Sequence, residues 1–220
     1  MPRAVNVSVG MLLRKIGGGK LFDFLAPYYR QIFFSIEGFI EEVIVPEFRN
    51  ASTNILDVGG GDGAVLKAII ERFNPEVCTF VDPTESAGRM LKGMNVELFK
   101  GTYLHEIQPK LQAKYQIILL VDVLHHVHST ARENLILECL KHLSKDGKLI
   151  IKEIGKRGIR SKLTLWADVY ISRDPVVDFL SDDELRKIIG VLDPTLLIST
   201  FENYNNRDFP NYCLSVQKSM

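Results

Sequence analysis

The 220-residue sequence has no surplus of charge of either sign: 27 lysines and arginines face 27 aspartates and glutamates, for a formal net charge of zero. Dedicated nucleic-acid binders usually carry a basic excess or stripe, so nucleic acid is not an expected partner. Cysteine is scarce: Cys78, Cys139 and Cys213 are far apart and form no C-x-x-C pair, which reads as buried free thiols in a reducing compartment. No apolar run approaches the roughly 20 residues of a membrane span. Around residues 5–13, Asn6, Ser8 and Gly10 interrupt the apolar part and no small-residue cleavage site follows, so the cytoplasm is the expected location. Internal repeats are lacking too. What remains is ordinary for a packed chain, 46% hydrophobic and 25% charged, with length for one sizeable domain or one domain and a small appendage.

Glycine is concentrated where it matters most. Residues 53–66, T-N-I-L-D-V-G-G-G-D-G-A-V-L, carry a short apolar run into a glycine cluster and then into an apolar helical pattern. Ile55, Leu56 and Val58 suit a buried strand, and the glycines permit backbone angles and close approach that a side chain forbids. Val65, Leu66, Ile69, Ile70 and Phe73 then recur on one helix face turned towards a sheet. Free N–H groups at the start of such a helix point at whatever sits on the turn. Two ligands are compatible with it. Gly59-x-Gly61-x-x-Ala64 satisfies the dinucleotide fingerprint. Asp57-x-Gly59-x-Gly61-x-Gly63 equally resembles the first motif of class I S-adenosylmethionine-dependent methyltransferases, in the D-V-G-G-G-D-G form common among small-molecule O-methyltransferases. A structural turn with no ligand is the plain alternative.

Further along, Asn74-Pro75 breaks the chain and residues 77–81 read as a second strand ending at Asp82-Pro83. In a doubly wound sheet, an acid at that point can accept hydrogen bonds from both hydroxyls of a ribose held over the first strand. Residues 85–92 read as a short helix with Met90 and Leu91 on its inner side, and residues 96–99 as a third strand, followed by Gly101-Thr102-Tyr103. Residues 115–121 form the most continuous apolar run, as expected of a central parallel strand. It ends in Asp122-Val123-Leu124-His125-His126-Val127-His128, a loop that should open into a site beside the glycine turn. Ser129 can cap the next helix, and Asp146-Gly147 turns into a fifth strand over residues 148–154. Ser181 and Glu184 form a capping box, and two last strands over residues 196–201 and 212–216 suit an antiparallel hairpin. Before all of this, residues 1–20 carry little signal, while the aromatic-rich residues 21–45 read as one or two helices covering a side of the sheet.

The block V-D-V-L-H-H-V, a helix, then D-G-K-L-I-I-K-E chooses between the two ligands. It is similar to the fourth motif and strand-five region of class I methyltransferases, and a nicotinamide dehydrogenase has no reason to show it. With the earlier motifs the resemblance runs from about residue 55 to 154, nearly half the chain. It implies an α/β, Rossmann-like doubly wound sheet, mostly parallel with a C-terminal antiparallel strand, in residues 51–220, behind an N-terminal helical lid in residues 1–50. It also implies S-adenosylmethionine as cofactor: Gly59, Gly60, Gly61 and Gly63 form the turn, Asp57 orients that turn or the amino group of the methionyl part, Asp122 contacts the same part, and Asp82 with Pro83 lies at the ribose. Thr102 and Tyr103 stand where the family commonly places an adenine-binding Asp. Phe22-Asp23 and Tyr28 or Tyr29 correspond to the lid of ubiquinone-biosynthesis-type relatives. The N-P-P-Y motif of DNA and amide N-methyltransferases is absent, which points to a small-molecule acceptor. The aromatic lid and Trp166 favour an apolar or aromatic one, and Lys156, Arg157, Arg160 and Lys162 leave room for an anionic one.

Methyl transfer to oxygen needs an in-line approach and a base for the hydroxyl. His125 aligns with the base of plant-type O-methyltransferases, and His126 is second. The alternative for both is shaping the pocket. His105 and His128 are expected to face solvent. No metal site is expected, since adjacent histidines diverge and no carboxylate pattern accompanies them. A homodimer is allowed. RNA or protein as acceptor, or a non-catalytic donor-binding module, are the competing functions.

Overall fold

A strand buried on both faces belongs in the middle of a sheet, and β4 (Tyr115–Val121) lies there, between β1 (Asn54–Val58) and β5 (Leu143–Ile154). The computed structural model describes residues 34–48, 52–111, 114–156, 177–205 and 211–219. With β2 (Val77–Asp82), β3 (Glu97–Lys100), β6 (Leu197–Thr200) and β7 (Asn211–Gln217), these strands make a seven-stranded sheet in the order β3-β2-β1-β4-β5-β7-β6. The neighbours from β3 to β5 pair in parallel, and β7 runs antiparallel to both β5 and β6. This is the doubly wound, mostly parallel sheet with one antiparallel C-terminal strand that the motifs imply. Strand order reverses between β1 and β4, so the carboxyl ends of those strands diverge to leave a crevice.

Alternating side chains along the strands feed two separate cores. On one face, Leu56, Ile118, Leu120, Ile151 and Leu214 pack with Ile136 and Leu140 of α4 (Ser129–His142) and with Leu185 and Ile189 of α5 (Asp182–Leu192). On the other, Ile55, Ile117, Leu119 and Ile150 meet Leu66 and Ile69 of α2 (Ala64–Phe73) and Phe39, Val43 and Ile44 of α1. Helix α1 runs through an α-turn (Ile36–Phe39), a π-helical stretch (Ile40–Ile44) and a last α-turn (Val45–Glu47). Pro46 has no N–H for the carbonyl four residues back, and ahead of it the Val45 N–H reaches the carbonyl of Ile40, five residues back. Two short helices, α3 (Leu104–Ile107) and α6 (Glu202–Asn205), complete the described elements.

The structure amends three local expectations. Residues 85–92 form only a 3-10 turn (Arg89–Leu91) behind Gly88 in the left-handed region, so Leu91 points inward while Met90 is 41% exposed. His128 caps α4, its side chain accepting from the Thr130 N–H, and Ser129 is already inside the helix. Strand β5 starts earlier than predicted: Leu143 pairs with Tyr115, then the register jumps to Lys148 opposite Ile117. Gly147 sits in that bulge, where a Cβ would come within 2.7 Å of the Tyr115 carbonyl oxygen. The Ser181–Glu184 capping box forms as predicted. The three cysteines are buried and none forms a disulfide. Among the described residues no helix is long and apolar enough to cross a membrane.

Candidate active site

At the end of β1 the chain turns through Gly59, Gly61 and Gly63, all with positive φ. Gly61 is the open side of the turn, since a Cβ there would have nothing within 4 Å. Gly60 is the closed side, where a Cβ would collide with the Asp57 carboxylate and the Phe80 ring. Asp57 is therefore sealed beneath the turn, 1% exposed, and its Oδ2 has no hydrogen-bond partner among the described residues. Burial pushes its carboxyl up to about 7, with repulsion from Asp82 and Asp62 adding to the effect. Asp82, at the end of β2, accepts from Gly61 N–H at 3.0 Å and from Thr84 N–H at 2.8 Å. It thus pins the glycine turn to the loop that begins at Pro83.

The Gly101-Thr102-Tyr103 segment continues this rim after β3. Thr102 Oγ1 donates to Glu106 at 2.8 Å and Tyr103 N–H donates to the same carboxylate at 2.7 Å, which starts α3. Those bonds, the backbone one first, hold the exposed Glu106 carboxyl below its usual value. The Tyr103 ring is exposed and stacks on His105. Tyr28, Phe22, Asp23, Tyr29, Arg157, Arg160, Lys162 and Trp166 lie outside the described residues.

Opposite the glycine turn, β4 ends in Asp122, a non-glycine residue with φ of 56°, and a 3-10 turn (Leu124–His126). The two sides touch, because a Cβ on Gly59 would stand 2.9 Å from the Val123 side chain. His125 is buried, 2% exposed, whereas His126 and His128 are exposed. Its Nδ1 lies 2.6 Å from Oε2 of Glu153 on β5. The other oxygen of Glu153 accepts from the N–H groups of Val123 at 3.0 Å and Leu124 at 2.6 Å. A carboxylate can only accept from the ring, so the imidazole proton belongs on Nδ1 and Nε2 is its basic nitrogen. Phe179 meets the His125 ring edge-on at a centroid distance of 5.3 Å.

Lys152 precedes Glu153 and points to the other face. It is fully buried, 2.7 Å from both oxygens of Asp122, with the Phe34 ring 4.6 Å from its Nζ. Ligand atoms of Asp122, His125 and Glu153 lie within 4.8 Å of one another, a spacing a cation could use. Lys152 already supplies positive charge to Asp122, and the ring proton bridges the other pair, so the group is complete as a network of ion pair and hydrogen bonds. Sequence reasoning did not single out Glu153 or Lys152. Their signal was present: two adjacent charges inside I-I-K-E-I, a strand whose neighbours demand burial.

The chain is similar to known proteins along most of its length. The profile of the family described as "Methyltransferase domain" matches residues 28–190. Over 147 residues the chain is 30% identical to 3'-hydroxy-N-methyl-(S)-coclaurine 4'-O-methyltransferase 2 of Papaver somniferum, covering 67% of this chain and 34% of the relative. Over 105 residues it is 33% identical to isoflavone 4'-O-methyltransferase of Medicago truncatula, covering 46% and 28%. The chain thus spans about a third of the length of these curated relatives. Among solved structures, the plantazolicin methyltransferase BpumL in complex with SAH superposes with a TM-score of 0.66 at 14% identity, covering 96% of this chain and 95% of that one, a likeness of fold. The profile match takes in the glycine turn and the histidine loop together, and the chain belongs to the methyltransferase-domain family.

Proposed function

We propose that this protein transfers a methyl group from S-adenosylmethionine to a hydroxyl of a small-molecule acceptor, with His125 as general base. The observation that carries the proposal is the buried Glu153–His125 pair, 2.6 Å apart, on a loop in contact with the glycine turn. The residues present fit the donor: the open side of Gly61 leaves room for it, and the Asp57 carboxylate under Gly60 braces the turn from beneath. When bound, the sulfonium donor supplies an electrophilic methyl group and leaves as a thioether. Gly59, Gly60, Gly61 and Gly63 let the backbone approach it. Asp57, sealed beneath the turn, orients it, and Asp122 lies near the methionyl part. Asp82, with Pro83 beside it, takes the ribose hydroxyls. At the adenine end the Tyr103 ring serves better than the Thr102 hydroxyl, which is committed to Glu106. Tyr28 belongs to the lid that excludes water.

Glu153 holds the imidazole in the tautomer that accepts at Nε2, and its charge stabilises the imidazolium formed as the acceptor loses its proton. The plant relatives are named for methylation of phenolic and alkaloid oxygens, which supports an aromatic hydroxyl acceptor. His126, exposed and tilted against His125 with ring centroids 4.0 Å apart, is the second candidate base. The widely separated buried thiols support a cytoplasmic location, and a homodimer remains part of the proposal. Calorimetry with S-adenosylmethionine and S-adenosylhomocysteine tests the donor. Turnover with phenol, catechol and hydroxynaphthoate tests the acceptor class. His125→Ala should lower kcat by about 10² to 10⁴-fold with donor affinity kept. Absence of donor binding, or an unchanged kcat in His125→Ala, overturns the proposal.

A further inference from the structure

Arg132 on α4 is only 3% exposed, and a buried guanidinium persists only where its fork of donors is met. Its Nε donates to the carbonyls of Leu124 at 2.9 Å and Val127 at 3.0 Å, at the start and just past the end of the 3-10 turn that carries His125 and His126. Its Nη2 donates to the Asp178 carbonyl at 2.7 Å, and its Nη1 reaches Asp178 Oδ2 at 3.1 Å. The Asp178 N–H in turn donates to the His125 carbonyl at 3.0 Å. The next residue, Phe179, packs its ring edgewise against the His125 imidazole. One cation therefore ties α4, the histidine turn and the segment around 177–180 into a single unit.

The division of labour around the turn is electrostatic. Glu153, an anion, collects its N–H groups and the ring Nδ1, while Arg132, a cation, collects its carbonyls. The imidazole has few torsions of its own once Nδ1 is held, so the place of Nε2 is set by where the turn's backbone stands. A displacement near 1 Å can cost about 100-fold in rate.

We propose that Arg132 is a positioning residue for His125: by clamping the turn's carbonyls to Asp178 it fixes the imidazole against Phe179 in the orientation needed for proton abstraction. This rests on the reading of His125 as base. The test uses the full chain with Arg132→Met, Arg132→Lys and Asp178→Ala, the acceptor being whichever of phenol, catechol or hydroxynaphthoate the wild type methylates. Arg132→Met should lower kcat by about 10- to 100-fold while the Kd for S-adenosylhomocysteine stays within about twofold, since the glycine turn is untouched. Hydrogen exchange with S-adenosylhomocysteine present should quicken by about tenfold or more in the peptide over residues 122–128 and stay unchanged over residues 57–64. Arg132→Lys should restore only a minor part, because an ammonium cannot span the four acceptors that the planar fork holds.

Should Arg132→Met fail to fold, Asp178→Ala loses only the carboxylate contact and keeps the carbonyl; it should show the same exchange signature with a kcat loss of about two- to fivefold. Unchanged exchange over residues 122–128, an unchanged kcat, or a parallel loss of donor affinity overturns the proposal. A wild type that binds S-adenosylhomocysteine but methylates none of the three acceptors overturns the proposed acceptor class instead, and the exchange measurement then decides alone whether Arg132 holds the turn.

Discussion

Asp57 is a carboxylate placed where a carboxylate is costly. Its folded value, near 7, lies above the ordinary value of 3.8, so the native state holds this proton more tightly than the unfolded chain. The resulting stabilisation is complete below about pH 4 and is lost as pH rises towards 7, leaving an ionised Asp57 whose burial costs up to about 4 kcal/mol. Asp57→Asn should therefore raise the Tm at pH 8 and change it little at pH 4, while weakening S-adenosylmethionine binding. Thermal melts at both pH values check the first part and calorimetry the second. A Tm at pH 8 no higher than wild type would show that Asp57 is relieved by a partner of its own. At this scale the glycine turn, Asp82 and His125 were legible because their meaning lies in short spacing along the chain. Glu153 was legible only as a charge inside an apolar strand, and Arg132 not at all, because their partner, the histidine turn, is met only after β4 and β5 align in register and α4 folds back over it.

Among the elements, β5 does two jobs with neighbouring residues. Lys152 faces α1 and neutralises Asp122, while Glu153 faces α4 and fixes His125. Removing one partner of a buried pair leaves the other uncompensated, so Lys152→Ala should cost about 3 kcal/mol in denaturant unfolding. The double variant Lys152→Met with Asp122→Asn should recover most of that, because both charges go and the volume stays. A double variant as unstable as the single one would place the cost in packing against Phe34 rather than in charge. Periodicity identified the strands and the longer helices, missed the short α3 and α6, and misplaced several edges. Met90 lies outside because the left-handed Gly88 shortens its helix to a single turn, and β5 begins early because a bulge at Gly147 lets the strand resume beyond a turn signal. Both are backbone events that apolar spacing does not encode.

For the whole molecule, the order of motifs was sufficient to specify the sheet, since glycine turn, acid, histidine loop and terminal hairpin occur in the succession that doubly wound topology requires. The strand order places β7 between β5 and β6, so β6 joins the sheet only through β7. Until β7 arrives, the flank of β5 from Leu149 to Ile154, buried along its whole length, is an unpaired edge. A chain ending at residue 205 should therefore aggregate on expression, and recovery of that truncation as a monomeric, cooperatively melting species would contradict this. During synthesis on the ribosome β1 to β4 exist well before the last strand emerges, so the half proposed to hold the donor can mature early while the strand bearing Lys152 and Glu153 waits for its final neighbour. Methylation competence would then be a late event in biogenesis, and the interval before closure is when a chaperone has most to protect.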